Sequence, residues 1–74
     1  MTEIKEGDTV CLRAEQANTF LDPKLRLRAA RGIPGRVVCV FGNSSRFYRV
    51  EFAAVGRLKA VSEIFSVWDL ELVP

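Results

Sequence analysis

The sequence predicts an all-β domain, a small five-stranded barrel left partly open, with a long first connection. Three observations lead there. Apolar and polar residues alternate with a period of two in several short segments. Turn-forming residues punctuate those segments, among them Gly7-Asp8, Gly32-Ile33-Pro34-Gly35 and Gly42-Asn43-Ser44-Ser45. A chain of 74 residues is also too short for two packed sheets of the immunoglobulin size. Curling one sheet into a barrel hides the edges that a flat sheet would expose.

The first strand is expected over Thr9 to Ala14, where Val10, Leu12 and Ala14 alternate with Cys11 and Arg13. Residues 15–31 admit two conformations. Asp22-Pro23 reads as a turn, with the proline ending any helix attempted before it. Beyond it, Lys24-Leu25-Arg26-Leu27-Arg28 alternates strictly, and an extended chain would send both leucines one way and three cations the other. A short helical turn through Leu25 to Arg31 competes, since Leu, Arg and Ala are good helix formers. A β-branched strand follows from Arg36 to Phe41, then a tight hairpin turn at Gly42-Asn43-Ser44-Ser45. The return strand, Arg46 to Ala53, turns Tyr48, Val50 and Phe52 inward and Phe47, Arg49 and Glu51 outward. Ala54-Val55-Gly56 turns the chain into a fourth strand, Arg57 to Phe65, expected to be bent or bulged because Leu58, Ala60 and Val61 break the alternation. Val67 to Leu70 reads as a single 3₁₀ turn, and Glu71 to Val73 as a short closing strand.

One domain spans residues 1–74, with no repeat, linker or low-complexity tract. A domain this small buries only about 60% of the surface its unfolded chain exposes, so its core is thin. No apolar run approaches the roughly 20 residues that span a bilayer, and the first residues lack the pattern of a signal peptide. No membrane association and a cytoplasmic location are the expectations. Cys11 and Cys39, both inside apolar runs, are expected as small hydrophobes in the core or just beneath the surface, in a reducing compartment.

Chemistry is constrained by what is missing. The chain has no histidine, so the usual general base and the standard zinc sites are absent. No glycine-rich loop follows a strand and opens a helix to cradle phosphates. Neither catalysis nor a cofactor or metal is expected. The carboxylates Glu63, Asp69 and Glu71 read as a solvated acidic rim.

Charge segregation is the most informative feature. Residues 1–23 carry five acids against two bases, a net −3, and residues 60–74 carry three acids and no base, also −3. Between them, residues 24–59 carry nine bases against Glu51 alone, a net +8. Such an excess suits contact with the backbone of a nucleic acid. On this reading Lys24, Arg26, Arg28, Arg31, Arg36, Arg46, Arg49 and Arg57 supply cations, and Tyr48 or Phe47 offers a stacking surface if outward-facing. The competing reading is association with a protein partner or with further copies of this chain. Val37 to Phe41 is apolar on both faces, so Val38, Val40 and Phe47 are candidate interface residues, and a homo-oligomer is expected.

Four segments carry a resemblance: Gly7-Asp8-Thr9-Val10, Arg31-Gly32-Ile33-Pro34-Gly35-Arg36-Val37-Val38, Tyr48-Arg49-Val50-Glu51-Phe52 and Asp69-Leu70-Glu71-Leu72-Val73. In this order they resemble the SH3-like barrels of small bacterial and phage proteins, including KOW-type modules and the nitrile hydratase β-subunit domain. The resemblance implies an SH3-like fold and leaves function open. A narrower similarity links Glu63-Ile64-Phe65-Ser66-Val67 and Leu70-Glu71 to the plasmid-borne, trimethoprim-insensitive dihydrofolate reductases. It would imply a reductase-like enzyme with a folate and nicotinamide pore. Glu63 and Phe65 stand where that family has glutamine and tyrosine, so no dihydrofolate reduction is expected.

Overall fold

Asp8 sets up the first strand: its carboxylate accepts the Lys5 N–H at 2.8 Å and its carbonyl accepts the Val37 N–H at 2.9 Å, while the Gly7 N–H donates to Val37 O at 2.8 Å. In the computed structural model, which describes residues 3–42 and 47–73, five strands form one antiparallel sheet. They are β1 (Thr9–Leu12), β2 (Pro34–Phe41), β3 (Phe47–Phe52), β4 (Val61–Ser66) and β5 (Leu70–Leu72). The order across the sheet is β4-β3-β2-β1-β5, so β4 and β5 are its edges and hydrogen bonds do not close it. This is the partly open, all-β arrangement that the alternation predicts.

The alternation has its expected consequence at the centre. Val10, Leu12, Val37, Tyr48, Val50, Phe52, Phe65 and Leu70 all point into one core. Phe65 meets Phe52 and Phe20 edge to face, each at 6.0 Å between ring centroids, a favoured aromatic geometry. Burying such side chains contributes about 1.5–3 kcal/mol each, the main term holding a sheet this small together.

Residues 15–31 resolve the ambiguous stretch in favour of a helix. A 3₁₀ helix over Ala14–Thr19 leads to α1 (Pro23–Arg31). Asp22-Pro23 opens this helix rather than closing the preceding segment. The Asp22 carboxylate accepts the Lys24 N–H at 2.9 Å as an N-cap, and proline costs nothing in the first helical turn, where its missing N–H would have no partner. Gly32 ends the helix at φ 64°, a left-handed conformation in which other residues are strained, while the Ile33 N–H bonds back to Arg28 O at 3.0 Å. The helical period places Leu25, Arg28 and Ala29 on the buried face and leaves Leu27 outside.

The strands also differ in detail from expectation: β1 ends at Leu12 rather than Ala14, and β2 starts at Pro34, inside the expected Gly32-Ile33-Pro34-Gly35 turn, because Pro34 and Gly35 pair with β1. The fourth strand starts at Val61 rather than Arg57, because Val55 and Leu58 exchange main-chain hydrogen bonds of 2.8 and 3.0 Å in a tight loop. The bulge sits in β2, between Val37 and Cys39, instead of in β4. Beyond Gly42, the expected hairpin turn falls at Asn43, Ser44 and Ser45, outside the described residues; Phe41 pairs with Phe47 across it.

Candidate functional site

Arg28 is the most consequential side chain of α1, and it is fully buried. Its Nη2 donates to Ala53 O at 3.0 Å and Lys59 O at 2.9 Å, and its Nη1 donates to Lys24 O at 3.3 Å. The guanidinium lies 5.5 Å from the Phe52 ring centroid, within cation–π range. Its Nε finds no partner among the described residues. All three bonds go to main-chain carbonyls rather than to a carboxylate, so the positive charge is solvated by dipoles and not neutralised. Arg28 is therefore a structural clamp between α1 and the loop joining β3 to β4. The expectation that it meets a phosphate at the surface is corrected: the helical period turns it into the core, beside Leu25 and Ala29.

This clamp gathers other cations at one end of the sheet. Lys24 and Arg31 lie on α1, and Arg57 and Lys59 on the loop that Arg28 holds against it. A groove of about 490 Å³ runs beside that loop, lined by Arg36, Glu51, Phe52, Ala53, Ala60, Val61 and Ser62. Arg31, Arg36, Arg57 and Lys59 are exposed and Lys24 is half-buried. Arg36 stands opposite Glu51 in the β2–β3 register. Arg26 is exposed too, but its Nη1 is held by Phe20 O at 3.1 Å and Leu21 O at 3.2 Å. Arg46 lies outside the described residues. The sequence reading counted Lys59 in the basic segment but did not assign it to the site, having placed it in a strand rather than in the β3–β4 loop.

On the outer face of β2, β3 and β4 the register brings together Phe41 with Phe47, Cys39 with Arg49, and Arg49 with Ile64. Phe47 is 52% exposed and Ile64 49%. Tyr48 points the other way and is buried, so the expectation of a tyrosine stacking surface is corrected by strand parity. Of the interface candidates, only Phe47 is exposed. Val40 stands opposite Tyr48 and packs against the core, and Val38 is half-buried at the bulge. Trp68, 76% exposed, follows two residues after Ser66, the partner of Phe47.

The two acidic segments meet only in part. β1 pairs with β5, which sets Cys11 opposite Glu71, whereas Glu63 lies in β4 at the other edge of the sheet and Asp22 caps α1. Burial pushes the Cys11 thiol above its ordinary range, Glu71 adds to that shift and Arg13 opposes it. A thiol held protonated is not an activated nucleophile. Burial likewise raises the Tyr48 phenol, with a smaller contribution from Glu3. Phe65 is buried, so it does not join Glu63 and Ile64 on the surface. Among the described residues no three His, Cys, Asp or Glu side chains cluster to hold a metal ion, and no helix is long and apolar enough to cross a membrane. No family model matches the chain, no curated protein matches its sequence and no solved structure matches its fold.

Proposed function

We propose that this domain is a non-enzymatic binding module that contacts a polyanion, the backbone of DNA or RNA, through the basic end formed by α1, the start of β2 and the β3–β4 loop. One observation carries the reading. The Arg28 clamp holds the main chain of Lys24 and of Lys59 to one guanidinium, with Arg31 on the same helix and Arg57 in the same loop, and among the described residues its buried charge has no carboxylate partner. A cation solvated only by carbonyl dipoles adds to the field of the surface above it, in a region of low dielectric where screening is weak. Glu71 sits on the β5 edge beside β1, while Asp22 caps α1 and Glu51 faces Arg36.

The salt dependence of affinity tests this. Phosphate contacts by Lys24, Arg31, Arg36, Arg57 and Lys59 would release condensed counterions. On duplex DNA the slope of log affinity against log salt would then be about −4.5. Changing Arg31 and Lys59 together to alanine should flatten the slope by about two. Absence of binding to DNA and RNA at low salt would end the proposal. A second reading rests on the exposed Phe41, Phe47 and Ile64: these could be the contact between copies of this chain, or with another protein. Sedimentation across micromolar concentrations distinguishes it, since a dimer broken by Phe47→Ala would place assembly first.

A further inference from the structure

The outer face of β2, β3 and β4 is graded along the strands. At one end stand Phe41 and Phe47, paired across neighbouring strands, with Ile64 one step along and Trp68 just beyond the end of β4. Neighbouring strands lie about 4.8 Å apart, so the two phenylalanine rings offer adjacent apolar surfaces to solvent. At the other end stand Arg36 and, past the strand ends, the loop that carries Arg57 and Lys59. Arg49 lies between, one outward position from Phe47, a step of about 6.8 Å along an antiparallel strand. Glu51, opposite Arg36, is the acid on the outer face of β3.

We infer that this face binds a single-stranded nucleic acid, with unpaired bases stacked on Phe41 and Phe47 and the backbone running past Arg49 toward the basic end. The inference rests on the polyanion reading and narrows it to a substrate class. A basic track feeding an aromatic platform is the chemistry that holds single strands without reading sequence, since every base has a π-face. A duplex hides those faces inside its stack and could use only the cations. An apolar partner surface would use the phenylalanines and Ile64 but would leave Arg49 covered without a counter-charge. Trp68, exposed two residues beyond Ser66, the partner of Phe47, offers a further apolar ring to solvent.

The test is a titration of the intact chain with three labelled probes: an oligothymidylate of about ten nucleotides, a duplex of similar length, and inorganic polyphosphate, which has charge but no bases. The single strand should bind about tenfold more tightly than the duplex. Phe47→Ala should weaken the single strand by about tenfold, leave polyphosphate unchanged, and be rescued by Phe47→Tyr. Arg31→Ala with Lys59→Ala should weaken all three probes. Because Phe47 is half exposed, its removal should not unfold the domain, and an unchanged melting temperature would establish that. Equal binding of single strand and duplex, or a Phe47→Ala variant with undiminished single-strand affinity, would overturn the inference. If polyphosphate still binds in that case, the polyanion reading stands alone. If none of the probes binds, both fall.

Discussion

Replacing Arg28 with alanine removes two short hydrogen bonds from a charged donor, to Ala53 O at 3.0 Å and Lys59 O at 2.9 Å, and a longer one to Lys24 O. A hydrogen bond to a charged group contributes about 1.5–3 kcal/mol net of the water it replaces, so the two short bonds alone are worth about 3 kcal/mol or more. Loss of the contact with the Phe52 ring and the void left by a long buried side chain add to that. The expected cost is therefore about 3–5 kcal/mol, out of a total of about 4–11 kcal/mol for a chain of this length. In a domain of 60–100 residues each kcal/mol moves the midpoint by about 4–8 °C, so melting should fall by at least about 12 °C. Arg28→Met keeps most of the volume but leaves both carbonyls without a donor, and should cost about 2–3 kcal/mol. Arg26→Ala, on the same helix but exposed, should cost less than about 1 kcal/mol. Urea titrations followed by circular dichroism measure all three. If Arg28→Ala matched Arg26→Ala, the guanidinium would have to lie in solvent, and the clamp with everything built on it would fail.

Gly35 offers a steric test. A Cβ there would lie 2.6 Å from two carbons of the Phe52 ring and 2.9 Å from Glu51 O, so Gly35→Ala should cost about 1–3 kcal/mol through forced displacement of a core side chain; an unchanged urea midpoint would contradict the packing of β2 on Phe52. Tyr48, the single tyrosine, reports on the core through pH. Burial raises its pKa, so the folded state favours the protonated phenol; that contribution is complete below the ordinary value near 10 and is lost as pH rises through the raised folded value. Phenolate absorbance should therefore appear above pH 10 and together with loss of the far-ultraviolet signal, whereas titration near 10 in an intact fold would put Tyr48 at the surface.

Much of the sheet was legible because strand parity is a local property. Val10 and Leu12, then Tyr48, Val50 and Phe52, alternate with polar neighbours, and all five are buried. The extra residue in β2 was not legible, since Val37 to Phe41 is apolar throughout and no alternation marks where the register slips. Residues 23–31 were ambiguous because one string satisfies two periods. Lys24 to Arg28 alternates as a strand would, while Leu25, Arg28 and Ala29 also share a helical face. Asp22-Pro23 does not arbitrate, since the same dipeptide starts a turn or caps a helix.

The candidate site divides along the same line. Net charge by segment is a sum over residues, and the sequence by itself determined that the middle of the chain is basic and its ends acidic. It also determined the outward parity of Phe47 and Arg49. Which cations meet solvent was decided only by the tertiary structure. Burying Arg28 requires carbonyl acceptors at Ala53 and Lys59, 25 and 31 positions further along the chain. No local pattern announces such acceptors, because main-chain oxygens are common to every residue and only the packing of α1 against the β3–β4 loop brings these two within reach of one guanidinium.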